Sequence, residues 1–160
     1  MNGIKNSANG LLCPSATGGG GYALIADGYI LYLHQRGVNS LTDYKFYCFN
    51  GEVKYLYVSK GLEDHDTALI SFLNPDWTFA PFNRNDYKPF DELPPKPESF
   101  ELMKNFAAKL AANTKFMRVD LYEINHKIYF SEYTFAPCCG MMPFDKPEYD
   151  KELGDLLKIN

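Results

Sequence analysis

No apolar run in this chain approaches the ~20 residues that a bilayer-spanning helix needs. No charged segment followed by an apolar stretch and a cleavage site opens it either. Basic residues are in deficit: 16 Lys and Arg against 20 Asp and Glu leave a net charge of −4. That balance argues against a nucleic-acid partner, which requires a basic footprint. Cysteine is scarce, and Cys13, Cys48, Cys138 and Cys139 include no C-x-x-C spacing, so neither a zinc site nor a redox pair is signalled. The adjacent Cys138 and Cys139 are poorly placed for good disulfide geometry, and all four are expected as reduced structural thiols. The Gly18–Gly21 run is not followed by the GK[ST] of a phosphate loop, so residues 1–21 read as a flexible Gly-rich arm. These absences leave a soluble globular chain, expected to be cytoplasmic, with no membrane span.

Aromatic residues, by contrast, are abundant: 12 Tyr, 12 Phe and one Trp among 160 residues, enough to build the core of one domain. Tyr22 to Leu33 is apolar enough for one or two buried strands, with Asp27-Gly28 as a tight turn. Asp43 to Lys60 reads as a hairpin, because Asn50-Gly51 is a strong turn signal between β-branched and aromatic flanks. A plain two-residue loop sets Lys45 opposite Leu56 and on the face that carries Lys54. The two lysines are then either solvent-side charges or an anion clamp. Gly61 to Pro95 is punctuated by proline and reads as an irregular, aromatic-anchored connection. His65, between Asp64 and Asp66, belongs to its solvated loop. Ser99 to Ala112 repeats Phe100, Met103, Phe106, Ala107 and Leu110 at helical spacing. A second helix is expected from about Pro147 to Leu157, with Asp145 and Glu148 in the form of a capping box. The order hairpin, helix, hairpin, helix predicts an α+β domain over residues 22–160: a mostly antiparallel sheet with helices packed on one face.

The segment Phe116 to Gly140, FMRVDLYEINHKIYFSEYTFAPCCG, carries the chemistry. Side chains alternate along a strand, so the loop decides which residues share a face. A two-residue loop at Asn125-His126 separates Asp120 from Glu132; a three-residue loop sets Asp120 opposite Glu132 and Arg118 opposite Thr134. Two facing carboxylates suit Mg²⁺ with phosphate oxygens and water, and the arginine supplies a fork for phosphate. On spacing alone, a solvated hairpin with cross-strand charge pairs is the plainer reading.

Three segments in order, DYKFYCFNGEVKY, FMRVDLYEINHKIYFSEYTFAPCCG and FDKPEYDKELGDLLKIN, resemble the TupA-like branch of the ATP-grasp superfamily, and specifically its C-terminal lobe. That branch is associated with teichuronopeptide and polysaccharide biosynthesis and is often labelled glycosyltransferase-like. The resemblance implies ATP and Mg²⁺ as cofactors and a carboxylate-ligase type of chemistry. It implies Asp120, Glu132 and Thr134 as metal ligands, with Lys45, Lys54 and Arg118 on the phosphates and Lys45 and Arg118 as catalytic residues. The implied partners are a nucleotide and a carbohydrate-type substrate, with a complementing N-terminal lobe or a second copy of the chain. Only about 40 residues precede DYKF, with Lys5 as their single lysine, which points to a truncated gene, a fragment or a chain completed by a partner. The alternative is a non-catalytic lobe that binds a nucleotide, a sugar or a protein.

Overall fold

The computed structural model describes residues 22–25 and 29–32 as strands, and residues 41–62, 64 and 66–158 in full. The glycine-rich arm, the Asp27-Gly28 turn and His65 lie outside the described residues. Strands β1 (Tyr22–Ile25) and β2 (Tyr29–Tyr32) pair as an antiparallel hairpin. The main sheet is built from β3 (Asp43–Phe49), β4 (Glu52–Lys60), β5 (Leu69–Leu73), β6 (Phe116–Ile124) and β7 (Lys127–Thr134). Its order is β5-β4-β3-β6-β7, antiparallel throughout. Strand β5 arises inside the segment expected to be irregular. LISFL is a short apolar run that pairs with β4 on one side, and isolated bridges from Leu69 to Lys88 and from Leu73 to Phe79 tie its other side to the following connection.

Every residue of the central strand β3 is buried, so both faces of the sheet need cover. One face holds Phe46, Leu56, Val58 and Val119 against Phe100, Met103 and Ala107 of α1 (Phe100–Leu110). The other holds Tyr47, Tyr57 and Phe72 against Phe82 and against Leu153 of α2 (Glu148–Asp155). The α+β class and the antiparallel sheet are as expected, but the helices divide between the two faces instead of sharing one. A single helix cannot cover a sheet that is apolar on both sides. Trp77 closes the α1 side, its ring edge-on to Phe100 at 4.8 Å and its indole N–H donated to Pro94 O at 3.0 Å.

Two local expectations are corrected. Asp145 does not cap α2: the residue before that helix is Pro147, and the Asp145 carboxylate accepts from the Asn83 amide at 2.9 Å. It ties the 79–90 connection to the C-terminal segment. On α1, Phe106 and Leu110 lie at the edge of the buried stripe, 40% and 42% exposed.

Candidate functional site

Both long hairpins turn on two residues, and both regain an odd offset through a bulge. Asn125 and His126 have φ of 51° and 61°, the left-handed pair of a tight hairpin turn, and Ile124 faces Lys127. Pairing then slips: Leu121 faces Phe130, but Asp120 faces Glu132 and Arg118 faces Thr134. Ser131 is the extra residue. The three-residue loop required by the face argument is absent, and the bulge does its work one turn further on. The same happens between Tyr47 and Cys48: Cys48 faces Val53, whereas Tyr47 faces Tyr55 and Lys45 faces Tyr57. Lys45 is therefore not opposite Leu56. Lys54 is the bulged residue, and its ammonium pairs with Glu52 at the surface.

The outcome is a polar cluster on the sheet face shared with α2. Lys45 faces Asp120 across β3 and β6, and its Nζ donates to Asp120 Oδ2 at 2.6 Å while lying 2.7 Å from Asp43 Oδ2. Arg118 grips the same carboxylate as a fork, Nε to Oδ1 and Nη2 to Oδ2, each at 2.7 Å. Its Nη2 also reaches Glu132 Oε1 at 2.7 Å. Thr134 Oγ1 donates to the same Glu132 oxygen at 3.4 Å. Both cations stand over the Tyr57 ring, 5.9 Å and 6.0 Å from its centroid. Asp120 is fully buried, whereas the Glu132 side chain is 50% exposed. The cluster thus opens on the Glu132 side.

Two cations against three carboxyl groups set the electrostatics. Burial penalises the Asp120 charge, but Lys45 and Arg118 outweigh it and hold the carboxyl below the usual aspartate range. Burial opposes the Lys45 charge too, and Asp43 and Asp120 overcome it, keeping the ammonium well above the ordinary lysine range. Asp43 moves the other way: desolvation pushes it up, against Lys45 and aided by the Asp120 charge. Glu132 is also raised, by desolvation and then by the adjacent Asp120 charge, the two carboxyls lying within hydrogen-bond reach. The Arg118 Nη2 lies between the two, 2.7 Å from Asp120 Oδ2 and from Glu132 Oε1. Asp120 and Glu132 carry the kind of carboxylate oxygens that Mg²⁺ takes together with phosphate oxygens and water.

Asp43 was not foreseen as a member, although its parity with Lys45 carried the signal: residues two apart on a strand share a face. Its Oδ1, the Ser59 hydroxyl directly opposite and the Tyr47 hydroxyl are buried without a hydrogen-bond partner. All three belong to this same face. Lys45, Arg118, Asp120, Glu132 and Thr134 are brought together; Lys54 is not.

A five-stranded antiparallel sheet with two helices is in line with an ATP-grasp type of lobe. A sequence model of the TupA-like ATP-grasp family matches residues 23–158, and the chain belongs to that family. No curated protein matches the chain, and no solved structure does.

Proposed function

We propose that this chain supplies the metal- and phosphate-holding lobe of an ATP- and Mg²⁺-dependent enzyme of cell-surface polysaccharide synthesis. The reaction proposed is of the carboxylate-ligase or sugar-modifying type, in the cytoplasm. The observation that carries the reading is the Asp120–Glu132 carboxyl pair, set face to face by the Ser131 bulge and flanked by Arg118 and Lys45. The family membership supports it. Mg²⁺ when bound neutralises phosphate charge, so that transfer of the terminal phosphoryl group of ATP becomes a matter of positioning.

The chain's own residues divide that work by their remaining hydrogen-bond capacity. An ammonium has three donors, and Lys45 spends two on Asp43 and Asp120, leaving one for a phosphate oxygen. Arg118 commits Nε and Nη2, leaving Nη1 for the same anion. A carboxylate has about four acceptor positions; Asp120 uses three and keeps one. Thr134 fixes the orientation of the Glu132 Oε1. Asp43 holds Lys45 on the site as a positioning residue. Tyr133 and Phe135, 45% and 66% exposed on the outer strand and just beyond it, are the surface offered to a complementing lobe or to a second copy.

A second reading draws on the complete burial of Asp120 and on the pairing of both its oxygens. In it the lobe is non-catalytic, and the cluster is a structural ion-pair network beneath a nucleotide-, sugar- or partner-binding surface. Calorimetry of the full chain with ATP separates the two. The enzyme reading expects ATP binding that requires millimolar Mg²⁺ and is lost when Asp120→Asn and Glu132→Gln are combined. Magnesium-independent binding, or none by a folded chain, favours the structural network.

A further inference from the structure

The turn that follows β7, Cys138-Cys139-Gly140-Met141-Met142, sets four sulfur atoms within five residues. We propose that it binds one soft monovalent cation, copper(I) or silver(I), through the Cys138 thiolate and the Met142 thioether, with Cys139 as the third sulfur. This site shares no residue with the Lys45, Arg118, Asp120 and Glu132 cluster and stands or falls without it.

The geometry is already that of a chelate. Cys138 Sγ lies 3.8 Å from Met142 Sδ. With metal–sulfur bonds of about 2.3 Å, two sulfurs at that separation subtend about 110° at a shared metal, close to a trigonal or tetrahedral angle. The backbone holds them there. Cys138, Cys139 and Gly140 follow one another with φ of 50°, 55° and 77°, a left-handed run that cysteine adopts only against its own sterics. The run is closed by Cys139 N to Ala136 O at 3.0 Å and Met141 N to Cys138 O at 2.9 Å. The two thiols are one peptide apart, so their Cα atoms are about 3.8 Å from each other.

Exposure and chemistry agree with a ligand role. Cysteine is among the residues most often buried, as Cys48 is here, yet Cys138 and Cys139 are both exposed and unbridged. Met142, by contrast, packs against the aromatic cluster of Phe72, Phe82 and Phe144, which fixes one end of the chelate. Among the described residues, no group of three or more His, Cys, Asp or Glu side chains can hold a metal. Zinc, which takes four such ligands at structural sites, is therefore poorly served, whereas thiolate with thioether selects copper(I). On binding, the Cys138 S–H bond breaks, its proton passes to solvent and the S–Cu bond forms. Copper remains monovalent, so no electron donor or acceptor is involved.

The test is anaerobic titration of the full chain with copper(I) in competition with bathocuproine disulfonate, and separately with zinc(II). The expected result is one copper(I) per chain, bound more tightly than zinc. Cys138→Ser should weaken it at least tenfold and Met142→Leu at least threefold, while Cys13→Ser leaves it unchanged. X-ray absorption of the silver(I)-loaded protein should give an all-sulfur shell, and this readout needs no variant to fold. Tighter zinc binding, nitrogen or oxygen in the shell, or copper affinity unmoved by either Cys138→Ser or Met142→Leu overturns the proposal.

Discussion

Replacing Asp120 by Asn removes one negative charge at nearly constant volume, which makes it the cleanest probe of the buried cluster. The carboxylate accepts three hydrogen bonds from two cations, at 2.6 to 2.7 Å, with no solvent exposure. Removing one partner of a buried ion pair costs 3–5 kcal/mol, because the charge left behind is uncompensated. Here each cation keeps a second carboxylate, Lys45 at Asp43 and Arg118 at Glu132, so the lower end applies, about 3 kcal/mol. That is a large part of the 5–15 kcal/mol available to a domain. In urea, with a slope of ~2 kcal/mol per molar, the midpoint should fall by about 1.5 M. The pH dependence has a definite sign. Because the native Asp120 pKa is lowered, its contribution is full above the unfolded aspartate range and disappears as pH falls through the native value. The gap between wild type and variant should therefore close on acidification. A neutral-pH difference below ~1 kcal/mol, or a gap that widens in acid, refutes the ion-pair account.

Glu132→Gln should leave stability at neutral pH unchanged or slightly improved, since a raised native pKa marks a charge that the fold disfavours; a loss above ~1 kcal/mol in denaturant contradicts this. Because the native Glu132 pKa is raised, Mg²⁺ affinity should fall as acidification protonates that carboxylate, and calorimetry at decreasing pH should show the loss. Deleting Ser131 closes the bulge and leaves Glu132 as the residue after Phe130, still opposite Asp120, so Mg²⁺-dependent ATP binding should persist; its loss in a variant that keeps its far-UV circular dichroism strand signal contradicts the pairing. Gly51→Ala places a side chain at φ 81°, with its Cβ 3.1 Å from Ala112 Cα, and should lower stability by about 1–2 kcal/mol in thermal denaturation. Phe46→Ala empties a fully buried site stacked on Phe100 and should cost about 3–5 kcal/mol in the same assay.

How much of this was legible in the sequence depends on which features are local. The Asn50-Gly51 turn and α1 were readable because that dipeptide and the Phe100, Met103, Ala107 spacing act over a few residues, whereas the sequence left the length of the Asn125-His126 turn open. The bulges were missed, yet both leave a mark. Apolar residues on one face are normally two apart, and each bulged strand breaks that rule once, between Val53 and Leu56 and between Phe130 and Tyr133. A step of three within a period of two is what an extra residue produces. The division of helices between faces was less accessible, since element order does not reveal that β3 is buried on both sides. Strand β5 was hidden by the turn residues around it. Asp43 joined the site through cross-strand pairing with Ser59 and an ion pair with Lys45 on its own strand, which the sequence marks only by parity.

The claim at the centre of this account is that one cation binds between Asp120 and Glu132. Amide NMR of the full chain with ATP and trace Mn²⁺ tests it most directly, because paramagnetic broadening falls steeply with distance from the metal. Broadening centred on residues 118–121 and 131–134, and reversed by excess Mg²⁺, is the predicted result. Broadening centred instead on the acidic loop at Asp64 and Asp66, on Asp150 and Asp155 of α2, or nowhere in the chain, would contradict it.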